Sequence, residues 1–295
     1  MIEKYREGRI PVTGGNVWFS QYGVDRPGIP LLVLHGGPGA PHDYLLPLAA
    51  LSDERLVIFY DQLGCGNSDK PAGTALYTVE YFVEELGQVR KALGLHQVHI
   101  LGQSWGTMLT VEYMLMKNPM DVKSLVLSGP FLSAPRFYED QRRYIDELPE
   151  KIRDTILEHE ASGNYSSPEY QDAMAEYYKI HVCRMDPWPD CLNRSMENVS
   201  HEVYGYMWGP SEFTMTGTLG TIDLTDRLRE IYLPVLFTCG RYDESSLSTT
   251  AYYHKMLPGS EMVVFEDASH DHHLEKTEEY LRVVQEFLRK AEGEK

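Results

Sequence analysis

Gly102-Gln103-Ser104-Trp105-Gly106 carries more chemical content than any other five residues of the chain. A serine hydroxyl is inert at its own pKa and becomes a nucleophile only beside a base, which in turn needs an orienting carboxylate. The pentapeptide follows an apolar run, Val98 to Leu101, and precedes a helical pattern from about Thr107. In that context G-x-S-x-G predicts a sharp strand-to-helix turn that exposes the Ser104 hydroxyl over a helix N-terminus, where the dipole favours negative charge. Such turns are completed by an acid and a histidine later in the chain, in that order. Gly240-Arg241-Tyr242-Asp243-Glu244 follows the apolar run Val235 to Thr238, and Asp267-Ala268-Ser269-His270 follows Met262 to Phe265. Asp243 is therefore expected to orient and His270 to act as base. His272 and His273 follow at once, and His270 is preferred as the nearest to the strand end. The three histidines lack the spacing of a metal site, so neither metal nor organic cofactor is expected.

A second loop, His35-Gly36-Gly37-Pro38-Gly39, follows the run Leu31 to Leu34. Glycines there let backbone N–H groups approach a ligand closely. The N–H groups of Gly37 and Trp105 are the expected oxyanion donors. No G-x-x-x-x-G-K-[ST] is present, which removes a phosphate loop from consideration. Asp61 to Ser68, after the run Leu56 to Tyr60, reads as a structural turn beside the site.

The elements that must hold these loops are legible from the apolar pattern. Leu31 to Leu34, Leu56 to Tyr60, Val98 to Leu101, Ser124 to Leu127, Val235 to Thr238 and Met262 to Phe265 are short apolar runs without alternation, as in parallel strands buried on both faces. Helical patterns lie between several of them, at Val79 to Leu93, Thr107 to Lys117 and Tyr252 to Met256, with a last helix from about Glu275 to Lys290. The alternation predicts an α/β protein with a mostly parallel, doubly wound sheet. Between Phe131 and Gly217 it stops, in a helix-like stretch rich in Tyr, Met and Trp and broken at Pro149, Pro168, Pro187, Pro189 and Pro210. The expected organisation is a core of residues 1–130 and 218–295 with an inserted helical cap, 131–217, over the carboxyl ends of the strands.

The 295 residues carry 27 Lys and Arg against 44 Asp and Glu, a formal charge of −17 that argues against a phosphate-tracking surface or an anionic membrane as partner. Met1 to Ile10 contains no apolar h-region, and no apolar run exceeds strand length. A cytoplasmic protein is expected, with Cys65, Cys183, Cys191 and Cys239 as free thiols.

Together these motifs resemble those of the proline iminopeptidases, serine aminopeptidases of the α/β-hydrolase fold related to the tricorn-interacting aminopeptidase of archaea. The likeness covers nearly the whole chain. It rests on H-G-G-P-G at His35 to Gly39, D-Q-x-G-x-G-x-S at Asp61 to Ser68, G-x-S-W-G at Gly102 to Gly106, G-P-x-E-F at Gly209 to Phe213, and the pairs Asp243-Glu244 and Ser269-His270. The resemblance implies a triad of Ser104, Asp243 and His270, and a pair of glutamates, Glu212 in the cap and Glu244 beside the acid, that bind the substrate's free N-terminus. Read alone, the two glutamates are ordinary surface charges. A charged amine entering a partly desolvated pocket does need carboxylate partners, and a grip shared by cap and core would block any preceding residue. Tyr204, Tyr206, Trp208 and Phe213 are candidates to wall the pocket for the first side chain. Thr107 stands where many relatives have Gly or Ser. The expected substrate is a small peptide or amino-acid amide with a free N-terminus. The alternatives are an amino-acid amide or ester hydrolase with the same triad, and a catalytically silent ligand-binding protein of the same fold.

Overall fold

A computed structural model describes residues 4–293. Eight strands form one sheet in the order β1-β2-β4-β3-β5-β6-β7-β8: β1 Lys4–Val12, β2 Gly15–Tyr22, β3 Gly28–Leu34, β4 Arg55–Tyr60, β5 Val98–Gln103, β6 Val122–Ser128, β7 Val235–Gly240 and β8 Glu261–Phe265. Strands β3 to β8 pair in parallel, while β2 runs antiparallel to both β1 and β4. The six apolar runs all lie within parallel strands, and successive residues serve opposite faces. Leu32 and Leu34 pack into one core layer with Ile58, Ile100 and Leu127, and Leu31 and Val33 into the other with Phe59, Leu101 and Val126. Burial on both faces is why these strands are continuously apolar.

The first layer is completed by α1 Val79–Ala92, α2 Trp105–Lys117 and α8 Leu247–Met256. The second is completed by a 3₁₀ segment, His42–Asp53, and by α10 Thr277–Ala291. The last helical region is interrupted at Lys276, which separates the one-turn α9 His272–Glu275 from α10. That short turn lets the Glu275 carboxylate accept bonds from the backbone N–H groups of Ser269 and Arg184, at 2.5 and 2.6 Å. The hairpin β1–β2 was not foreseen. β1 lies on the sheet edge and is mostly exposed and charged, so it has no apolar run to announce it.

Between β6 and β7 the chain forms five α-helices, α3 Ala134–Glu147, α4 Glu150–Ser162, α5 Pro168–His181, α6 Asp190–Glu197 and α7 His201–Met207, followed by a 3₁₀ segment, Thr225–Glu230. Prolines mark their starts, where a missing N–H costs nothing: Pro149 and Pro189 immediately precede α4 and α6, and Pro168 begins α5. Ser133, Ser167 and Ser200 cap α3, α5 and α7 through their hydroxyls. Ile145, Ile156, Tyr170, Tyr177, Tyr178 and Phe213 form a separate apolar cluster within this segment.

Strand order reverses between β3 and β5: the chain first builds outward from β3 to β4, then returns to the other side of β3 with β5. Loops leaving the carboxyl ends of those neighbours diverge and open a crevice. The loop His35–Gly39 leaves β3 and the turn bearing Ser104 leaves β5. Backbone crowding at this turn dictates glycine. A Cβ on Gly102 would lie 2.2 Å from the Gly106 carbonyl oxygen, and one on Gly106 would lie 2.4 Å from that of Leu34. Gly102→Ala is expected to cost about 3 kcal/mol and to lower Tm by roughly 5 to 10 °C, because the obstructing atoms are backbone. Scanning calorimetry of the purified variant checks this, and an unchanged Tm would contradict the crowding argument.

Candidate active site

Ser104 occupies the N-cap of α2 with φ 54° and ψ −121°, a strained conformation for a residue with a Cβ. The strain is held from several sides. Ser104 N–H donates to the Ser128 carbonyl at 2.9 Å, and the Ser104 carbonyl accepts from Thr107 N–H at 2.8 Å and from the Thr107 hydroxyl at 2.6 Å. Thr107 Oγ1 also accepts from Phe131 N–H at 3.0 Å. The threonine that departs from the usual glycine or serine thus ties the elbow to the chain leaving β6.

His270 and Asp243 lie at the ends of β8 and β7. His270 Nδ1 is 2.8 Å from Asp243 Oδ1, which also accepts from Ser245 N–H at 2.9 Å. Space for the imidazole comes from Gly129, with φ +55°, where a Cβ would lie 2.7 Å from both Nδ1 and Cε1 of His270. The other two histidines are engaged elsewhere. His272 Nε2 meets the hydroxyls of Ser128 and Thr238 at 3.0 and 2.9 Å, and His273 Nε2 meets the Tyr44 carbonyl at 3.2 Å. Burial lowers these two to about 4 and about 3, so both are neutral. Burial also opposes charge on His270, but Glu244, Asp243 and Asp271 outweigh it and raise the imidazole to about 10.

Ser104, His270, Glu212, Glu244, Gly37 and Tyr204 all line one cavity of about 300 Å³. Glu212 Oε1 accepts a 2.7 Å bond from the Tyr204 hydroxyl. Glu244 is buried, with Oε1 3.4 Å from His270 Nε2 and Oε2 without a partner. Burial raises both glutamates above their ordinary range, and Glu212 adds to the rise at Glu244. Among the described residues no hydrogen bond joins the Ser104 hydroxyl to His270 Nε2, and Nε2 lies 3.4 Å from Glu244 Oε1 with no hydrogen bond between them either. Neither Lys nor Arg lines the cavity among the described residues, so carboxyls outnumber cationic groups there.

The glycine loop crosses the serine at close range. A Cβ on Gly36 would lie 3.0 Å from Ser104 Cβ and 2.6 Å from Gln103 Oε1. Gly36 N–H donates to the Tyr44 hydroxyl at 2.8 Å, which donates to Gln103 Oε1 at 2.5 Å. His35 is neutral, lowered to about 4 by burial, and its Nε2 accepts from Gln62 N–H at 2.9 Å. Gln62 Oε1 accepts from the Trp105 indole, so the Asp61–Ser68 turn braces glycine loop and elbow together. The backbone N–H groups of Gly37 and Trp105 donate to no other group among the described residues.

The inserted helices reach the same site. The Gln141 amide donates to the Glu244 carbonyl at 3.0 Å and the Tyr144 hydroxyl to the Asp243 carbonyl at 3.1 Å, both from α3. At the end of α5, the carbonyls of His181 and Val182 accept from the N–H groups of His270 and Asp271, at 3.0 and 2.8 Å. The aromatic candidates divide. Tyr204 lines the cavity, Trp208 and Phe213 are buried in packing with Phe131, Phe137 and Tyr177, and Tyr206 is 39% exposed and lies against Tyr77. Sequence reasoning missed Tyr44, Gln103, Tyr178 and Asp271, all of which line the cavity. Only Gln103 and Asp271 carried a signal, each being the neighbour of a residue already singled out.

A strand order with its reversal beside a G-x-S-x-G elbow, followed by an acid and a histidine on the next strand ends, defines the α/β-hydrolase class. The family model for the alpha/beta hydrolase fold matches residues 29–277. Within that class, a proline iminopeptidase of Heyndrickxia coagulans is 46% identical over 285 residues, covering 96% of this chain and 99% of that protein. Among solved structures, a proline iminopeptidase of Mycobacterium smegmatis superposes with a TM-score of 0.90 at 37% identity, over 97% of this chain and 98% of the other. The protein VinJ superposes with a TM-score of 0.95 at 32% identity, over 98% of this chain and all of its own. The chain belongs to the proline iminopeptidase family.

Gly129→Ala tests the packing behind His270. A methyl group 2.7 Å from the imidazole displaces the ring, and a positive φ costs roughly 1 kcal/mol more with a Cβ. The expected result is a 10- to 100-fold lower turnover with Tm lowered by only a few degrees, read from steady-state rates and thermal melts. Full activity would show that the ring position is not set by this contact.

Proposed function

We propose that the chain is a serine aminopeptidase that removes the N-terminal residue, preferentially proline, from short peptides. Ser104 Oγ attacks the carbonyl carbon of the first residue while His270 Nε2 takes its proton, and Asp243 holds Nδ1 and stabilises the imidazolium. The N–H groups of Gly37 and Trp105 stabilise the oxyanion. His270 then protonates the leaving amine, and water, activated by the same imidazole, hydrolyses the ester on Ser104. Glu212 and Glu244 take the substrate's charged amine, the secondary ammonium when the first residue is proline. Residues 131–217 act as the cap and 1–130 with 218–295 as the core.

The observation that carries this reading is the pair of carboxyls, Glu212 and Glu244, in the serine's own cavity, where among the described residues neither Lys nor Arg stands and His270 is the basic group beside Glu244. An uncompensated buried carboxylate is costly, and a cationic substrate supplies what the protein withholds. A cavity of about 300 Å³ suits a small first residue and the start of the next. We place the reaction in the cytoplasm, a reducing compartment that keeps thiols such as the four free cysteines unpaired.

The deciding assay compares prolyl, alanyl, leucyl and phenylalanyl anilides, each with a free and an acetylated amine, alongside prolinamide. Rapid cleavage of the free prolyl anilide is expected, with turnover falling about a million-fold in Ser104→Ala. Glu212→Gln is expected to lose at least roughly a hundredfold in kcat/KM on that substrate, about 3 kcal/mol of charge-assisted bonding, and far less on a simple ester. Equal losses on both would remove Glu212 from amine recognition. Preference for acetylated substrates would overturn the exopeptidase reading, and turnover of prolinamide alone would make the chain an amidase.

A further inference from the structure

His270 Nε2, the atom that must accept the serine proton, lies within ion-pair distance of a carboxylate and makes no hydrogen bond to the serine among the described residues. Its nearest charged partner is Glu244 Oε1 at 3.4 Å, while Nδ1 is held by Asp243 at 2.8 Å. An imidazole bonded to Asp243 at Nδ1 and 3.4 Å from the Glu244 carboxyl at Nε2 is favoured as the imidazolium, and an imidazolium has no lone pair for Ser104. Glu244 cannot simply move to solvent, because it is 1% exposed, and its second oxygen has no partner.

We infer that Glu244 has a second role: in the free enzyme it holds His270 as an unreactive cation, and the ammonium of the substrate, by taking Glu244 for itself, releases the base. This rests on the reading of Glu244 as an amine ligand and adds a gate to it. The charges balance. The ammonium enters, the Nε2 proton leaves to solvent, and the freed lone pair then accepts the Ser104 proton as the Oγ–C bond forms. A substrate without a cationic amine meets a resting enzyme whose base is already protonated, so the gate discriminates in the chemical step as well as in binding.

Of the carboxyls that line the cavity around His270, Glu244 is the one within ion-pair distance of Nε2. From the loop after β7 come Asp243, which is fully buried and bonded, and Glu244. From the loop after β8 come Asp271, raised to about 8 by burial, and the neutral His272 and His273. From α5 comes His181, lowered to about 4 by burial, whose carbonyl accepts from His270 N–H. Glu212, in the segment after α7, is bonded to Tyr204 and makes no contact with the ring.

The test uses p-nitrophenyl acetate, which acylates serine but has no amine. For this ester kcat/KM rises with pH as His270 loses its proton. Glu244→Gln is expected to move the midpoint of that rise down by at least one pH unit, and so to speed the ester about tenfold at pH 7, while slowing free prolyl anilide. Glu212→Gln, which also weakens amine binding, is expected to move the midpoint less. Coincident midpoints in wild type and Glu244→Gln, or equal shifts in the two variants, would overturn the gate. A measurement on the unaltered protein stands beside it: ¹⁵N spectra of labelled histidine, with His270 assigned from His270→Asn. They are expected to show His270 protonated at Nε2 in the free enzyme at pH 7.5 and deprotonated there with saturating pyrrolidinium. A neutral Nε2 in the free enzyme would overturn the gate even if Glu244→Gln fails to fold. Should the aminopeptidase reading itself be wrong, acetylated and free prolyl anilides would be cleaved alike; should only the gate be wrong, the free-amine preference would survive.

Discussion

The site depends on a shortage of positive charge around one imidazole. Glu244, Glu212 and Asp271 line a cavity whose single strongly basic group is His270, itself bonded to Asp243 at Nδ1. Low polarisability inside the protein makes that imbalance expensive, and Asp243, Glu244 and Asp271 are buried where water does not relieve it. The Gln141 and Tyr144 bonds fix the Asp243-Glu244 turn through its backbone, leaving the Glu244 carboxyl free of protein donors other than His270. A cation is thereby made the missing component, and the proximity of the pair to Ser104 sets which carbonyl such a cation brings to the nucleophile.

Positioning rests on backbone crowding. The elbow works because Gly102 and Gly106 allow α2 to start against β3 and β5, and the His35–Gly39 loop can pass Ser104 only because Gly36 lacks a side chain. Gly129 does the same for His270. At Gly102 and Gly106 the opposing atoms are main chain, which cannot rotate aside, while at Gly36 and Gly129 they are the side chains of the reacting groups and their neighbours, so the geometry of the site is set from the sheet and its reversal point outward. The helices between β6 and β7 are part of that frame, since α5 holds the His270-Asp271 backbone and α3 holds the Asp243-Glu244 turn.

Local rules determined much of this protein from the chain alone. Six parallel strands were legible because burial on both faces demands unbroken apolar runs, and the elbow was legible because a tight strand-to-helix turn demands glycines at fixed spacing around the serine. The edge strand β1 and the start of α8 were not, since an exposed strand needs no apolar run and the α8 start is set by the Ser246 cap rather than by a hydrophobic face. Tertiary structure decided what spacing cannot encode. It separated His270 from His272 and His273, which follow two and three positions later, the three serving a carboxylate, two hydroxyls and a carbonyl respectively. It brought Glu212 and Glu244, 32 positions apart in the chain, into one cavity. It also set Glu244 3.4 Å from His270 Nε2. The reason is the range of the forces: strand burial and turn sterics act between neighbours in sequence, whereas the field at a buried ionisable group is summed over whatever the fold packs around it.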